Sequence, residues 1–175
     1  MYLYPKWLRA WHILNAILFI ILIVTGLSMQ YTGKKDYVLV VGFESAVRWH
    51  NSAAIILTIN YIFFVAGNLL TRNGRYYHIR RNSFFSDLYK QLRYYSYGMF
   101  RGEKHPFPVT MERKFNPLQK LSYVLTMYLA LPLVIISGIG LLFPEIVVSG
   151  IMGVSGMILT DLLHITMGFF LSVFM

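Results

Sequence analysis

"WHILNAILFIILIVTGLSM", residues 11–29, decides the class of this protein. The run contains no Asp, Glu, Lys or Arg, and roughly 20 apolar residues in a helix span a bilayer. The chain is 57% hydrophobic and 13% charged, so it holds more apolar surface than a soluble domain of 175 residues can bury. Together with three further apolar runs, these features predict spans at about 8–30, 46–71, 117–143 and 153–175. We therefore predict an all-α fold, an up-down integral membrane four-helix bundle that forms a single domain over 1–175.

The basic residues are distributed unevenly around these spans. Thirteen of the 16 Lys and Arg residues lie before or at the start of span one, or between span two and the start of span three. The other three, Lys34, Lys35 and Arg48, lie between span one and the start of span two. This is the positive-inside pattern, and it predicts that the N-terminus and the loop 72–116 are cytoplasmic. Topology therefore accounts for the net charge of +9, and we expect no nucleic-acid partner. No small-residue cleavage site follows span one, which indicates a retained span and not a secretory signal.

Several local patterns predict structure outside or within the spans. Aromatic and basic residues alternate in "SFFSDLYKQLRYYSYGMF", residues 83–100, which predicts an interfacial amphipathic helix. Asn116 and Pro117 are typical of a helix N-cap and first turn, and Pro132 inside span three predicts a kink. The glycine-rich stretch 143–156 is compatible either with interfacial structure or with the first turns of span four.

The absence of cysteine narrows the possible cofactor chemistry. A chain with 0 Cys cannot form disulfides, thiolate iron–sulfur ligands or a covalent C-x-x-C-H haem attachment. Any metal must therefore be held by histidine, carboxylate or methionine, and any cofactor must be bound non-covalently.

Three of the five histidines lie inside predicted spans: His12, His50 and His164. Ionisable groups within a membrane are costly and are usually functional. His78 and His105 lie in the loop and are interpreted as surface residues. Three intramembrane histidines on three of four spans favour a shared cofactor, whereas the alternative is a set of neutral histidines that pack or relay protons.

Depth in the membrane determines which histidines can meet. His12 and His50 lie near opposite ends of their spans, because residues 12 to 30 cover about 27 Å of helix. His164 lies closer to the level of His50, so these two imidazoles are predicted to flank one haem. Two stacked haems need ligands about 20 Å apart on one helix, or 13 to 14 residues. We therefore expect the chain to continue past Met175 and to supply there a histidine partner for His12.

Four motifs resemble those of a known family when they are taken in order: "RAWHILN…TG", "RWHN", "KFNPLQK" and "LLH". They are similar to the di-haem cytochrome b membrane subunits of formate dehydrogenases, nickel–iron hydrogenases and thiosulfate reductases. The resemblance covers essentially the whole chain. It implies four bacterial inner-membrane helices that carry two b haems between a periplasmic iron–sulfur or multihaem cytochrome subunit and a site for menaquinone or ubiquinone.

The resemblance also implies roles for individual residues. His12, His50 and His164 match three of the four haem ligands of the family. The family's Asn-x-Gly-Gln-Lys stretch lines the quinone site and corresponds here to residues 116–120, which assigns Asn116 and Gln119 to quinone binding. Leu118 stands where the family has glycine, so this segment departs from the pattern.

Four further residues are candidates for contacts with a haem. Gly26 follows His12 by 14 residues and could let a porphyrin approach the backbone, although helix packing explains this glycine equally well. Arg9 and Arg48 could pair with haem propionates, with a topological anchor as the alternative for Arg9. Asp161, one turn before His164, could bond a ligand histidine or a propionate, or it could meet water at the interface.

These observations together predict a membrane-bound b-type cytochrome that transfers electrons between a periplasmic redox partner and the quinone pool. Haem would supply the redox chemistry, and the protein would supply ligands and spacing. It would act as a subunit of an oxidoreductase complex, in contact with membrane lipid. The alternative is a haem-free membrane anchor or transport subunit.

Overall fold

The computed structural model describes residues 4–32, 40–79, 83–110 and 112–175, so Lys34 and Lys35 fall outside it. Four helices in this part of the chain are long and apolar enough to cross a membrane: Lys6–Tyr31, Phe43–Leu70, Pro117–Leu142 and Gly156–Phe174. The prediction of an all-α membrane protein is thereby confirmed. The helix bounds differ from the predicted ones by a few residues, as is usual at frayed helix ends.

Span three is a composite helix. It begins as α4 (Pro117–Leu125), passes through a π-helical turn at Thr126–Ala130 and continues as α5 (Leu131–Leu142). Pro132 has no backbone N–H and its ring crowds the preceding turn, and a wider π turn is one way in which a helix accommodates such a residue. The irregularity that was predicted at Pro132 therefore takes the form of a π turn directly before it.

The described chain divides into two compact units, of which the larger contains Tyr4–Val65 and Ala130–Met175. This unit includes α1 (Lys6–Tyr31), most of α2 (Phe43–Leu70), α5 and α6 (Gly156–Phe174). Helix α5 packs along α6, and α1 contacts α6. The Trp11 indole N–H of α1 donates to the carbonyl of Asn60 on α2 at 2.9 Å, and its ring stacks on Phe64 at 4.5 Å.

The connection between α5 and α6 is a short hairpin. A 3-10 turn at Pro144–Ile146 precedes two antiparallel strands, β1 (Gly150–Ile151) and β2 (Val154–Ser155). Residues 143–156 therefore form a turn and a hairpin, and α6 begins only at Gly156. A Cβ at Gly156 would lie 1.8 Å from the Val148 carbonyl oxygen, so only glycine fits where the hairpin meets the helix.

The second unit contains Ala66–Leu129. A 3-10 helix at Arg72–Tyr77 is followed by α3 (Phe84–Arg93), whose helical path continues through a π turn at Tyr94–Gly98 and a 3-10 turn at Met99–Arg101. This continuous helical segment coincides with the predicted amphipathic helix. Its large side chains Phe85, Tyr89 and Phe100 are exposed, and Lys90 and Arg93 lie in the last turn of α3.

Candidate functional site

Two of the predicted ligand histidines lie next to each other within the larger unit. His50 projects from α2 and His164 from α6, and their ring centroids are 6.3 Å apart with an angle of 66° between the ring planes. Both side chains are half-buried. The two helices are separated by more than 80 residues of sequence, so only the tertiary fold brings these imidazoles together.

The His50 ring is held by helix α1. Its Nδ1 lies 2.9 Å from the Thr25 hydroxyl oxygen, and Thr25 is buried between the helices. The hydroxyl group in turn lies 2.7 Å from the carbonyl oxygen of Ile21, one turn earlier on α1. Threonine back-bonding of this kind satisfies the hydroxyl proton within the helix.

The His164 ring is held in the same manner by helix α5. Its Nδ1 lies 3.1 Å from the carbonyl oxygen of Val134 and 3.1 Å from the Ser137 hydroxyl oxygen. Ser137 is buried, and its hydroxyl group donates to the carbonyl of Leu133 at 2.7 Å. Both histidines are therefore anchored at Nδ1 by a neighbouring helix.

A glycine adjoins each ring. A Cβ at Gly26 would lie 3.6 Å from His50 Cε1, and a Cβ at Gly138 would lie 3.0 Å from His164 Cε1. Glycine at these positions lets a backbone approach a ring closely. Gly26 was predicted to pack against haem. In this structure it packs against the imidazole of His50, and its haem contact stays a prediction.

The separation of the two rings fits a single metal between them. Metal–imidazole nitrogen bonds are about 2.0 to 2.1 Å and a ring nitrogen lies about 1.1 Å from its centroid, so trans imidazoles have centroids about 6.2 to 6.4 Å apart. The observed distance between His50 and His164 is 6.3 Å. Because Nδ1 of each ring is engaged, Nε2 is the atom that remains for a metal. The donor set therefore suits bis-imidazole haem ligation.

Comparison with known proteins identifies the family of the chain. A family model described as prokaryotic cytochrome b561 matches residues 3–175. The chain belongs to this cytochrome family. A similar relative is the provisionally named cytochrome YdhU of Escherichia coli (strain K12), 39% identical over 146 residues, which are 83% of this chain and 54% of the relative. The chain thus spans about half the length of that relative. No solved structure matches.

Membership of the cytochrome b561 family, together with the four helices that could cross a membrane, identifies the chain as a multi-pass membrane cytochrome of the b type. Family membership thus favours the predicted haem protein over the alternative of a haem-free anchor.

The third predicted ligand, His12, is separate from the other two. It is exposed on α1, and its ring lies 6.5 Å from that of Trp11. The described residues contain no group of three or more His, Cys, Asp or Glu that could hold a metal ion. In the smaller unit, His78 and His105 are exposed, as expected for surface histidines, and His105 Nδ1 accepts from the Phe107 N–H at 3.0 Å.

The charged candidates lie on the surface of the described chain. Arg9, Arg48 and Asp161 are all exposed, and Arg48 donates to the Ser45 hydroxyl at 3.3 Å. Asp161 was predicted to support His164. The contacts described for Nδ1 of His164 go to Val134 and Ser137, so the role of Asp161 stays a prediction.

The predicted quinone residues form a helix cap. Asn116 Oδ1 accepts the Gln119 backbone N–H at 2.8 Å, and Gln119 Oε1 accepts the Asn116 N–H at 3.2 Å. This is a capping box at the start of α4, with Pro117 in the first turn. The Asn116 amide also donates to the Tyr95 hydroxyl at 3.0 Å. The cap prediction is confirmed, while quinone binding stays a prediction.

Sequence reasoning missed the two hydroxyl residues that hold the imidazoles, Thr25 and Ser137. A signal for them exists in the sequence, because "TG" at 25–26 and "SG" at 137–138 are two hydroxyl–glycine pairs inside apolar spans. A polar side chain beside a glycine in a span indicates a helix face that another element approaches closely.

Proposed function

We propose that this cytochrome carries electrons between a periplasmic redox subunit and the quinone pool through two b haems, and that His50 and His164 are the axial ligands of one of them. The observation that carries the assignment is the pair of rings 6.3 Å apart. Both rings keep Nε2 available because Nδ1 contacts Thr25 in one case and Val134 and Ser137 in the other.

His12 supplies a ligand to the second haem in this proposal. It lies near the first turns of α1, whereas Thr25, the contact of His50, lies 13 residues later on the same helix. At 1.5 Å per residue this offset corresponds to about 20 Å. The two haems would therefore lie at different depths of the membrane, which suits electron transfer from one side to the other.

The haem group supplies a reversible one-electron redox centre, and the protein determines where it sits. His50 and His164 would together hold the iron, which would leave no iron position for a substrate, so such a site would favour electron transfer over oxygen chemistry. Gly26 would pack against a porphyrin, and Arg9 and Arg48 would pair with propionates. Asp161 would act as an outer partner of the ligands.

The proposed orientation places the N-terminus and the loop 72–116 in the cytoplasm of a bacterial inner membrane. Lys and Arg are concentrated there, and the exposed aromatic side chains of α3 and the turns that follow suit a helix lying among lipid headgroups. Menaquinone or ubiquinone would bind on this side near Asn116 and Gln119. An iron–sulfur or multihaem cytochrome subunit would bind on the periplasmic side.

The ligand assignment is tested by replacing each histidine and recording the reduced-minus-oxidised haem spectrum of purified protein. We expect His50→Ala and His164→Ala to remove the same haem, and His12→Ala to remove the other. His78→Ala and His105→Ala are matched controls, because both residues are exposed and lie outside the spans. Wild-type haem content in both His50→Ala and His164→Ala would overturn the assignment.

A further inference from the structure

The two imidazoles are held by the same local arrangement on two different helices. Thr25 on α1 contacts His50 and is followed by Gly26, where an added Cβ would meet the ring. Ser137 on α5 contacts His164 and is followed by Gly138, where an added Cβ would meet that ring. In both cases a hydroxyl oxygen lies within hydrogen-bond distance of Nδ1, and the residue after the hydroxyl residue is a glycine beside the ring. The arrangement occurs twice, although α1 and α5 differ in sequence around these pairs.

A backbone carbonyl completes the arrangement around His164. Val134, three residues before Ser137, presents its carbonyl oxygen to His164 Nδ1 at 3.1 Å. A carbonyl oxygen can only accept a hydrogen bond, so a neutral imidazole facing it must carry its proton on Nδ1.

The hydroxyl protons are already used elsewhere, which leads to the same conclusion. Thr25 Oγ1 donates to Ile21 at 2.7 Å, and Ser137 Oγ donates to Leu133 at 2.7 Å. Each hydroxyl has one proton and two lone pairs. Each hydroxyl oxygen can therefore only accept a hydrogen bond from the histidine, and the donor is the Nδ1–H of His50 for Thr25 and of His164 for Ser137.

We infer that Thr25 and Ser137 are positioning residues, which hold His50 and His164 in the Nδ1–H tautomer and raise the donor strength of Nε2 toward iron. The inference rests on the proposed ligand role of the two histidines. A hydrogen bond from the distal ring nitrogen fixes ring orientation and increases ligand basicity, and loss of such a partner typically lowers metal affinity by about 10- to 100-fold.

This donor effect acts mainly on the oxidised iron, because a stronger donor stabilises the higher charge. Removal of a hydroxyl acceptor should therefore weaken the ferric complex more than the ferrous one and raise the midpoint potential. If the affinity of the histidine for ferric iron falls tenfold more than its affinity for ferrous iron, the midpoint potential rises by about 59 mV for a one-electron couple. The direction of the shift is positive for both hydroxyl residues.

The experiment compares hydroxyl deletions with matched controls in the full-length membrane protein. Thr25→Val and Ser137→Ala remove the hydroxyls that face the histidines. Thr58→Val and Ser172→Ala remove hydroxyls that, among the described residues, bond to carbonyls of their own helices, at Ala54 and Gly168 respectively. Thr25→Ser keeps the hydroxyl and serves as the rescue variant. Readouts are the haem midpoint potential and the ¹⁵N chemical shifts of the imidazoles in haem-free protein.

We expect positive potential shifts in Thr25→Val and Ser137→Ala, no shift in the controls and restoration in Thr25→Ser. Potentials that match the controls would overturn the inference. If Thr25→Val does not retain haem, the ¹⁵N shifts of the haem-free variant test the positioning role of Thr25. Loss of the His50 Nδ1–H tautomer in Thr25→Val supports that role, and an unchanged tautomer overturns it.

Failure of the proposed function gives a different pattern. Haem that persists in His50→Ala and His164→Ala overturns the ligand role and with it the potential shift. Haem that is lost in those variants, with potentials in Thr25→Val and Ser137→Ala equal to the controls, overturns only the positioning role.

Discussion

Gly138 faces the ring of His164, and its replacement by alanine tests how tightly the imidazole packs against helix α5. An added Cβ would lie 3.0 Å from His164 Cε1 and 3.5 Å from Nδ1, whereas a Cβ at Gly26 would lie 3.6 Å and 3.9 Å from the same atoms of His50. Carbon atoms in favourable contact are about 3.5 to 4.0 Å apart. Gly138→Ala must therefore displace the His164 ring by about 0.5 Å, and Gly26→Ala need not displace His50.

The His164 ring cannot yield freely, because Val134 and Ser137 hold its Nδ1 at 3.1 Å from the same helix that carries Gly138. Overpacking of this kind costs about 1 to 3 kcal/mol. At about 1.4 kcal/mol per tenfold, this corresponds to about a 5- to 150-fold loss of haem affinity for Gly138→Ala. Gly26→Ala should stay within about threefold of wild type, since its contacts are of ordinary length.

The assay is a haem titration of the haem-free protein in detergent, followed by absorbance. Gly168→Ala is the matched control, because it lies one turn after His164 on α6 and its Cβ would meet no atom within 4 Å among the described residues. All three variants gain about 1 kcal/mol of helix propensity. Wild-type affinity in Gly138→Ala, or a larger loss in Gly26→Ala than in Gly138→Ala, would refute the steric argument.

Three further predictions concern stability. Trp11→Phe removes the donor to the Asn60 carbonyl and should lower the free energy of unfolding in detergent by about 0.6 to 1.7 kcal/mol, whereas an unchanged value would contradict it. Asn116→Ala should cost about 1 kcal/mol by loss of the cap, and Asn116→Ser a few tenths; equal losses in these two variants would refute a capping role. Burial lowers the pKa of Lys114 from its ordinary 10.5, an effect that Arg75 reinforces and Tyr76 opposes. Because the unfolded chain then binds more protons between that lowered pKa and 10.5, the free energy of unfolding should rise with pH in this window. Denaturant titrations at alkaline pH should show this rise in wild type and not in Lys114→Met, and a flat wild-type profile would contradict it.

The spans and one helix start were predictable because their signals are local. An apolar run such as residues 11–29 must form a helix in lipid, since every backbone polar group needs an internal partner there. Asn116, Pro117 and Gln119 make a capping box from residues within one turn, and the structure contains it. The hairpin at residues 150–155 was left open, because its short strands carry no periodic signal.

The histidine site was only partly predictable. Counting residues along the helices predicted that His50 and His164 lie at similar depths in the membrane. The structure places their rings 6.3 Å apart. Thr25 and Ser137 went unnoticed, because hydroxyl residues inside a span commonly bond only to their own helix, as Thr58 does. Distinguishing them requires knowledge of which helix face the imidazole approaches.

The sequence by itself determined that this chain is a multi-pass membrane protein, which segments can span the membrane and which histidines lie in those segments. These properties follow from transfer of residues between water and lipid, which depends on composition along the chain. The tertiary structure alone decided which helix holds each imidazole and through which atom. That choice depends on helix rotation and spacing. It is set where Gly26 and Gly138 allow a ring close to the backbone, and where oxygens of Thr25, Ser137 and Val134 lie within hydrogen-bond distance of Nδ1.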